Sequence, residues 1–371
     1  MAIVVLKKHL DYGVDRLYRA MVEMFDSGGF TAEIRQGETI LLKPNLLIAR
    51  TPNDAVTTHP AVVEAAVRIV SDCGAKPVIG DSPGGAIRSP EHVYKQTGMT
   101  ELARKLGIET VPIESQGVEE ITMPDGQILY ISRIIHYVDG IIDIAKLKTH
   151  SLVLTTLAVK NLYGLVPGFR KAEYHKIYPS PKKFAELICE VYTHVRDKVR
   201  LAVLDGIYGM DGNGPSAGRV CNFGLLAVSD DAAALDLSVE RITGIKTLSP
   251  ITRELLKRKF IPEYEIKWLG EPIVQFEDFQ TSINWAYRFA PAWLTRNLGR
   301  LVRVYPGVNS GICTRCGLCK KSCPIDAISM ESDKSVPIFD YKKCIRCLCC
   351  HEICPVSAIV FKKSWLAGFI H

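Results

Sequence analysis

Nine of the chain's 12 cysteines lie between positions 313 and 354. Eight of the nine fall into two runs. Cys313, Cys316, Cys319 and Cys323 form the first, closed by Pro324; Cys344, Cys347, Cys350 and Cys354 form the second, closed by Pro355. Each reads C-x2-C-x2-C-x3-C-P, and the second copy follows the first by 31 residues, down to Ala327-Ile328 and Ala358-Ile359. Three thiolates at this spacing wrap one iron–sulfur cube within a tight loop, and the fourth, starting a helix, points to the other cube. The spacing therefore implies two 4Fe-4S clusters. Cys313, Cys316, Cys319 and Cys354 would hold the first, and Cys344, Cys347, Cys350 and Cys323 the second. Cys349 is surplus: it could replace Cys350 as ligand only by breaking the repeat, and otherwise reads as a buried thiol near the second cluster. Zinc sites use paired C-x2-C units and do not account for triplets with Cys-Pro, twice over. The chemistry implied is one-electron transfer.

Two such halves make the small α+β fold of a bacterial two-cluster ferredoxin. Basic residues crowd both loops: Arg315, Lys320, Lys321, Lys342, Lys343 and Arg346. Positive charge there favours reduced clusters and offers a docking face to an acidic electron donor or acceptor protein. The chain has 371 residues and a formal charge of +6. Each cluster with its four thiolates carries about −2, which lowers the net charge to about +2 and removes the argument for a nucleic-acid partner. No run approaches the roughly 18 apolar residues of a membrane span. Met1 to Lys8 reads as a first strand rather than a secretion signal. The expectation is a cytoplasmic protein of a reducing or anaerobic setting.

The elements that must carry this tail begin with an α/β pattern over residues 1–245. Short apolar runs at 40–42, 77–79, 140–144, 201–204 and 224–228 read as strands covered on both faces. His59-Pro60, Ser89-Pro90 and Ser180-Pro181 each place a cap and then proline at a helix start. The alternation predicts a mostly parallel sheet wound with helices, then a connecting segment over 246–304, then the dicluster domain over 305–371. Trp285, Tyr287 and Trp293, mixed with Arg288, Arg296 and Arg303, read as a linker helix packed between the domains.

Polar residues follow each apolar strand, and in a parallel sheet such strand ends share one edge where ligands bind. Lys43 and Asn45 follow the first. Asp81 and Ser82 stand in a glycine-rich turn. Lys146, Lys148 and His150 follow the third, with Lys160 and Asn161 beyond. Asp205, Asp211 and Asn213 follow the fourth, and Asp231 the fifth. Four ammonium groups meeting at one crevice would repel unless an anion or the aspartates neutralise them. The expected ligand is an anionic small molecule, with an additional divalent metal held by aspartates or histidines as a further candidate. The glycine turn matches neither G-x-G-x-x-G nor the Walker lysine, so no nucleotide follows from it. His59 and His150 titrate near neutral pH and are candidates to move a proton, though each also reads as a helix or segment cap.

The segments Leu42-Lys43-Pro44-Asn45, Gly80-Asp81-Ser82-Pro83-Gly84, Lys146-Leu147-Lys148-Thr149-His150, Val159-Lys160-Asn161 and Ser229-Asp230-Asp231 resemble domain-of-unknown-function family 362. The resemblance implies the same order of domains, including a dicluster tail with the extra cysteine. It implies no activity, and Asp231-Ala232 departs from the Asp-Pro frequent in relatives. Three readings follow: an oxidoreductase passing electrons between the tail and an anion in the α/β crevice; a non-redox enzyme or binding module with structural or sensory clusters; and an electron-transfer or assembly subunit without an active site.

Overall fold

The computed structural model describes residues 1–84, 89–168, 170–261, 265–272, 275–282 and 304–363. The basic aromatic segment 285–303 lies outside the described residues.

In chain order the first strands are β1 (Ala2–Lys8), β2 (Thr39–Pro44), β3 (Lys76–Ile79), β4 (Glu109–Thr110), β5 (Val118–Thr122), β6 (Ile128–Ser132), β7 (Gly140–His150), β8 (Leu154–Thr156), β9 (Val199–Asp211), β10 (Arg219–Ser229) and β11 (Ile266–Gly270). The main sheet runs β11-β1-β10-β9-β7-β2-β3-β4, with β8 folded back on β7, while β5 and β6 pair as a separate hairpin. β2, β3, β4, β7 and β9 are parallel to one another. β10 is antiparallel to both β9 and β1, so β1 and β11 run with the parallel set.

Neighbouring residues of each strand serve opposite faces, as the two-residue period of a strand requires. Leu41, Ile141, Ala202 and Leu204 pack under the helices Pro181–Val195, Ala232–Ile242 and Pro250–Lys257. Leu42, Ile142, Leu201 and Val203 pack under Val14–Gly28 and Pro60–Asp72. A sheet covered on both faces follows from these near-continuous apolar runs. Helix starts agree with their caps: His59, Ser89 and Ser180 side chains each accept a backbone N–H of the first turn.

Two expectations need correction. The α/β unit does not end at 245: Ile251 and Leu255 join its core, and β11 adds an edge strand beside β1. A short edge strand with one buried residue, Ile266, carries almost no periodic signal. Second, β10 runs backward, so its end at Ser229 lies at the sheet edge opposite to Pro44, Ile79 and His150. Asp231 is therefore removed from the shared crevice; its carboxylate caps the helix Ala232–Ile242 through the Ala234 N–H at 2.7 Å.

The tail adds β12 (Val304–Val308), β13 (Ile328–Ser329), β14 (Ile338–Phe339) and β15 (Ile359–Lys363), paired β12–β15 and β13–β14, both antiparallel. Val308 meets Ile359 as Ile328 meets Phe339, the same 31-residue offset that relates the cysteine runs.

Candidate functional site

β7 is buried along its whole length yet carries Lys146, Lys148 and His150 on one face. Buried charges are costly unless paired, and the fold pairs most of them. Lys43 Nζ lies 2.7 Å from Asp81 Oδ1, with both side chains buried. Asp81 Oδ2 also accepts the Leu46 N–H at 2.8 Å. Lys146 donates to Asp205 at 2.7 Å and to the Tyr12 hydroxyl at 2.9 Å, and that hydroxyl donates to the other Asp205 oxygen at 2.8 Å. Lys148 donates to Asn45 Oδ1 at 2.7 Å and to the Val56 carbonyl at 2.5 Å. Asn45 in turn donates to Asn161 Oδ1 at 2.9 Å, and Asn161 donates to Asp143 at 2.8 Å. Burial pushes the Asp143 carboxyl up to about 7, against the pull of Lys43. Gly164 lets the backbone close over this network; a Cβ there would collide with Asp81 Oδ1 and the Lys43 ammonium.

Of the two neutralising partners expected for these lysines, an anion or the aspartates, the aspartates serve Lys43 and Lys146. Lys43 and Lys146 are ion-paired within the protein, where removing one partner would cost about 3–5 kcal/mol; Lys148 is hydrogen-bonded to neutral groups only, and burial lowers its ammonium. Lys160 differs. Among the described residues it has no hydrogen bond or ion pair, and its ammonium stands 6.0 Å from the ring centroids of Tyr163 and Phe184.

Lys160 faces two adjoining cavities of about 60 and 80 Å³, which share Leu47, Gly84, Lys160, Tyr163 and Lys171. The first reaches Asp81, Ser82, Lys148, His150 and Asn161. The second is roofed by the tail, through Ser322, Cys349, Glu352 and Ile353. Two larger grooves, of about 420 and 740 Å³, are lined by no tail residue and are open to solvent.

His150 Nδ1 accepts the Leu152 N–H at 3.0 Å, so its proton sits on Nε2, 3.1 Å from Glu352 Oε1 of the tail. Burial holds the imidazole below its usual range, as do the Lys160 and Lys148 charges. Lys171 donates to the Ser82 carbonyl at 2.6 Å, the Ser82 hydroxyl at 2.8 Å and the Pro83 carbonyl at 3.0 Å. Burial brings its ammonium down to about 8. His175, four residues on and so on the same helix face, is buried with Nδ1 lacking a partner, and burial lowers it to about 4.

Lys171, His175 and Glu352 were not anticipated from the sequence. They sit on helices rather than behind strands, and only the i, i+4 spacing of Lys171 and His175 marks a shared face. Conversely, His59 lies outside these cavities. Its Nδ1 caps its helix through the Ala61 N–H at 3.1 Å, and its ring stacks on Tyr12 at 3.6 Å. Asp205 belongs to that same Tyr12 group. Asp211 is taken up by Arg219 at 2.7 Å, and Asn213 accepts from Ser282 at 3.3 Å, so neither joins the cavities. Among the described residues no three His, Cys, Asp or Glu side chains gather around a single-ion position, which leaves the additional divalent metal without support.

The tail's donor set fits two clusters. Cys319 lies within electrostatic reach of Cys316, Cys354 and Cys313, and Cys344 of Cys347 and Cys323, an arrangement that fits a fourth cysteine supplied by the other run. The Ala327 N–H donates to Cys323 Sγ at 3.2 Å and the Ala358 N–H to Cys354 Sγ at 3.1 Å, bonds that favour a ligating thiolate. The loops match in backbone too: Arg315 and Arg346 have φ 58° and 57°, Gly317 and Leu348 72° and 66°. Cys349 is buried against Cys347, facing the second cavity. Apolar contact fixes the roof: Ile353 packs with Ile48, Val56 and Met210, with Leu47 and Leu318 against them. Arg50 donates to Ser357 at 2.7 Å and Ser216 to the His351 carbonyl at 3.1 Å.

Comparison with known proteins bears on both parts. Residues 40–239 match the model of the domain of unknown function DUF362, and residues 305–355 match a 4Fe-4S dicluster domain. The chain is 37% identical over 227 residues to the thylakoid-associated protein sll1697 of Synechocystis, a match covering 61% of this chain and 68% of that protein. Among solved structures, the lactate racemase apoprotein of Thermoanaerobacterium thermosaccharolyticum superposes with a TM-score of 0.41 at 14% identity. That match covers 66% of this chain and 58% of the racemase, less than two thirds of its length. Among the described residues no helix is long and apolar enough to cross a membrane.

Proposed function

The chain belongs to the DUF362 family and carries a 4Fe-4S dicluster domain, and from that premise we propose that it is a redox protein that exchanges electrons with a small anion held between its two domains. One observation carries the reading: Lys160, without a hydrogen bond or ion pair among the described residues and 6.0 Å from the Tyr163 and Phe184 ring centroids, faces a cavity whose roof contains Cys349, next to the proposed cluster ligand Cys350. Bound clusters supply single electrons. The chain's own residues do the rest. Lys160 and Lys171 offer positive charge, His175 Nδ1 offers an unused polar atom, and His150 Nε2 on β7 lies 3.1 Å from Glu352 Oε1 of the tail. Tyr163, Leu47 and Ile353 restrict water.

Size narrows the ligand. Cavities of about 60 and 80 Å³ hold a few waters or one small anion, whereas cofactor-sized ligands need about 300 Å³ or more. A nucleotide would require the roof to move. The setting we propose is the reducing cytoplasm, where thiolate-bound clusters persist.

The test is anaerobic. Dithionite-reduced protein is mixed with phosphate, sulfite, nitrite and short carboxylates, and cluster spectra are followed by electron paramagnetic resonance and visible absorbance. At least one anion is expected to shift the reduced spectrum, and at least one to reoxidise the clusters. Lys160→Met should weaken the response about tenfold or more, the worth of one charged hydrogen bond. If no anion acts on the wild type, or if the variant responds equally, the cavity is not the site.

A further inference from the structure

The six basic residues of the two cysteine loops do not share one environment. In the first loop Arg315, Lys320 and Lys321 are all exposed, around the exposed ligand candidate Cys316. Ile312, 49% exposed, adds an apolar surface beside them. No Asp or Glu occurs between Val308 and Ile325. The second loop keeps arginine at the first matched position and replaces the two lysines by His351 and Glu352, and all three are occupied. Arg346 lies over the Tyr305 ring at 5.9 Å, His351 stacks on Phe361 at 4.6 Å, and Glu352 faces His150. Cys347 and Cys350 are buried where Cys316 is exposed and Cys319 is partly so.

We propose that the face around Cys316 is the docking site of a small acidic electron-carrier protein, making the first cluster the port and the second the inner terminus. The proposal rests on the reading of the tail as an electron-transfer module, and it does not depend on the cavity holding a ligand. Transient redox partners meet through small apolar contacts ringed by complementary charge, which orients them and speeds encounter. Ile312 and the Cys316 loop supply the apolar centre, and Arg315, Lys320 and Lys321 the positive ring. The acids of the same lobe, Asp326, Glu331 and Asp333, come only after the Cys323-Pro324 step. Lys342 and Lys343, exposed beside Cys344, form the competing patch.

Stopped-flow mixing of the full-length holoprotein with a reduced acidic flavodoxin, under anaerobic conditions, separates the two patches. The wild-type second-order rate should fall as salt rises. Lys320→Glu with Lys321→Glu should lower it about tenfold or more at low salt, and Lys342→Glu with Lys343→Glu less than about twofold. Arg315→Gln, which removes the charge but keeps a polar side chain, should lower it in the same direction. Equal losses in both pairs, or a wild-type rate indifferent to salt, would overturn the assignment. Each variant must retain about eight irons and full reduction by dithionite. A wild type without that iron would sink the electron-transfer reading of the tail itself.

Discussion

The cysteine loop at 313–323 and its repeat at 344–354 share a backbone and differ in what surrounds them. Paired φ angles at Arg315 and Arg346, and at Gly317 and Leu348, agree within a few degrees. Side chains at matched positions diverge: Lys320 against His351, Lys321 against Glu352, Ser322 against Ile353. The first set points to water, apart from Ser322; in the second, His351 stacks on Phe361 within the tail while Glu352 and Ile353 face the α/β domain. Duplication thus preserves the ligand geometry, while three substitutions in sequence decide which copy is an outer face and which an inner seam. Leu348 even adopts the left-handed conformation that Gly317 takes freely, a cost of roughly 1–2 kcal/mol set against its near-complete burial.

The contrast is most severely tested by removing one ligand from each copy. Cys316→Ser and Cys347→Ser should each lose about four irons. Only Cys347→Ser should loosen the tail from the α/β domain, seen as rapid tryptic cleavage between 304 and 363. Equal protease resistance would mean that burial of the second loop does not depend on its cluster. Next in size is a pair of apolar truncations. Ile353→Ala should lower stability in urea by about 2–5 kcal/mol, the usual range for a buried isoleucine, and exposed Ile312→Ala should stay within about 0.5 kcal/mol. Smallest is a pH effect at the seam. Burial brings the Lys171 ammonium down to about 8, so an anion relying on that ammonium should bind about tenfold more weakly at pH 9 than at pH 7. Spectral titration of the reduced protein with phosphate at the two pH values measures it.

Much of this was legible in residue order. The cysteine repeat implies its own pseudo-symmetry, and the strands at 40–42, 77–79 and 140–144 carry their turn-bounded apolar runs openly. Direction was not legible: nothing in Gly224 to Val228 distinguishes a parallel strand from the antiparallel β10, and Asp231 was misplaced as a result. The lysine pattern left open whether an anion or the aspartates neutralise the crevice. Asp81 and Asp205 were among the candidates, yet their pairing with Lys43 and Lys146 is a through-space fact. Nor could the sequence reveal that Glu352, within a cysteine loop, reaches a histidine 202 positions earlier in the chain. Lys171 and His175 belong to a helix of little amphipathic character, so no periodicity announced them.

Cysteines make up much of the small core of the lobe that roofs the cavity: Ile328, Ala358 and Ile359 pack with Cys350, Cys354, Cys313, Cys319 and Cys323, joined by Val308, Phe339 and Val356. A core made of cofactor ligands has little to fold around before iron and sulfide arrive, because metal binding and folding are then one equilibrium. Maturation of the tail and enclosure of Lys160 become a single event. A newly made chain in an iron-starved cell would leave that lysine open to bulk water, and iron supply would thereby govern the pocket as well as the electrons.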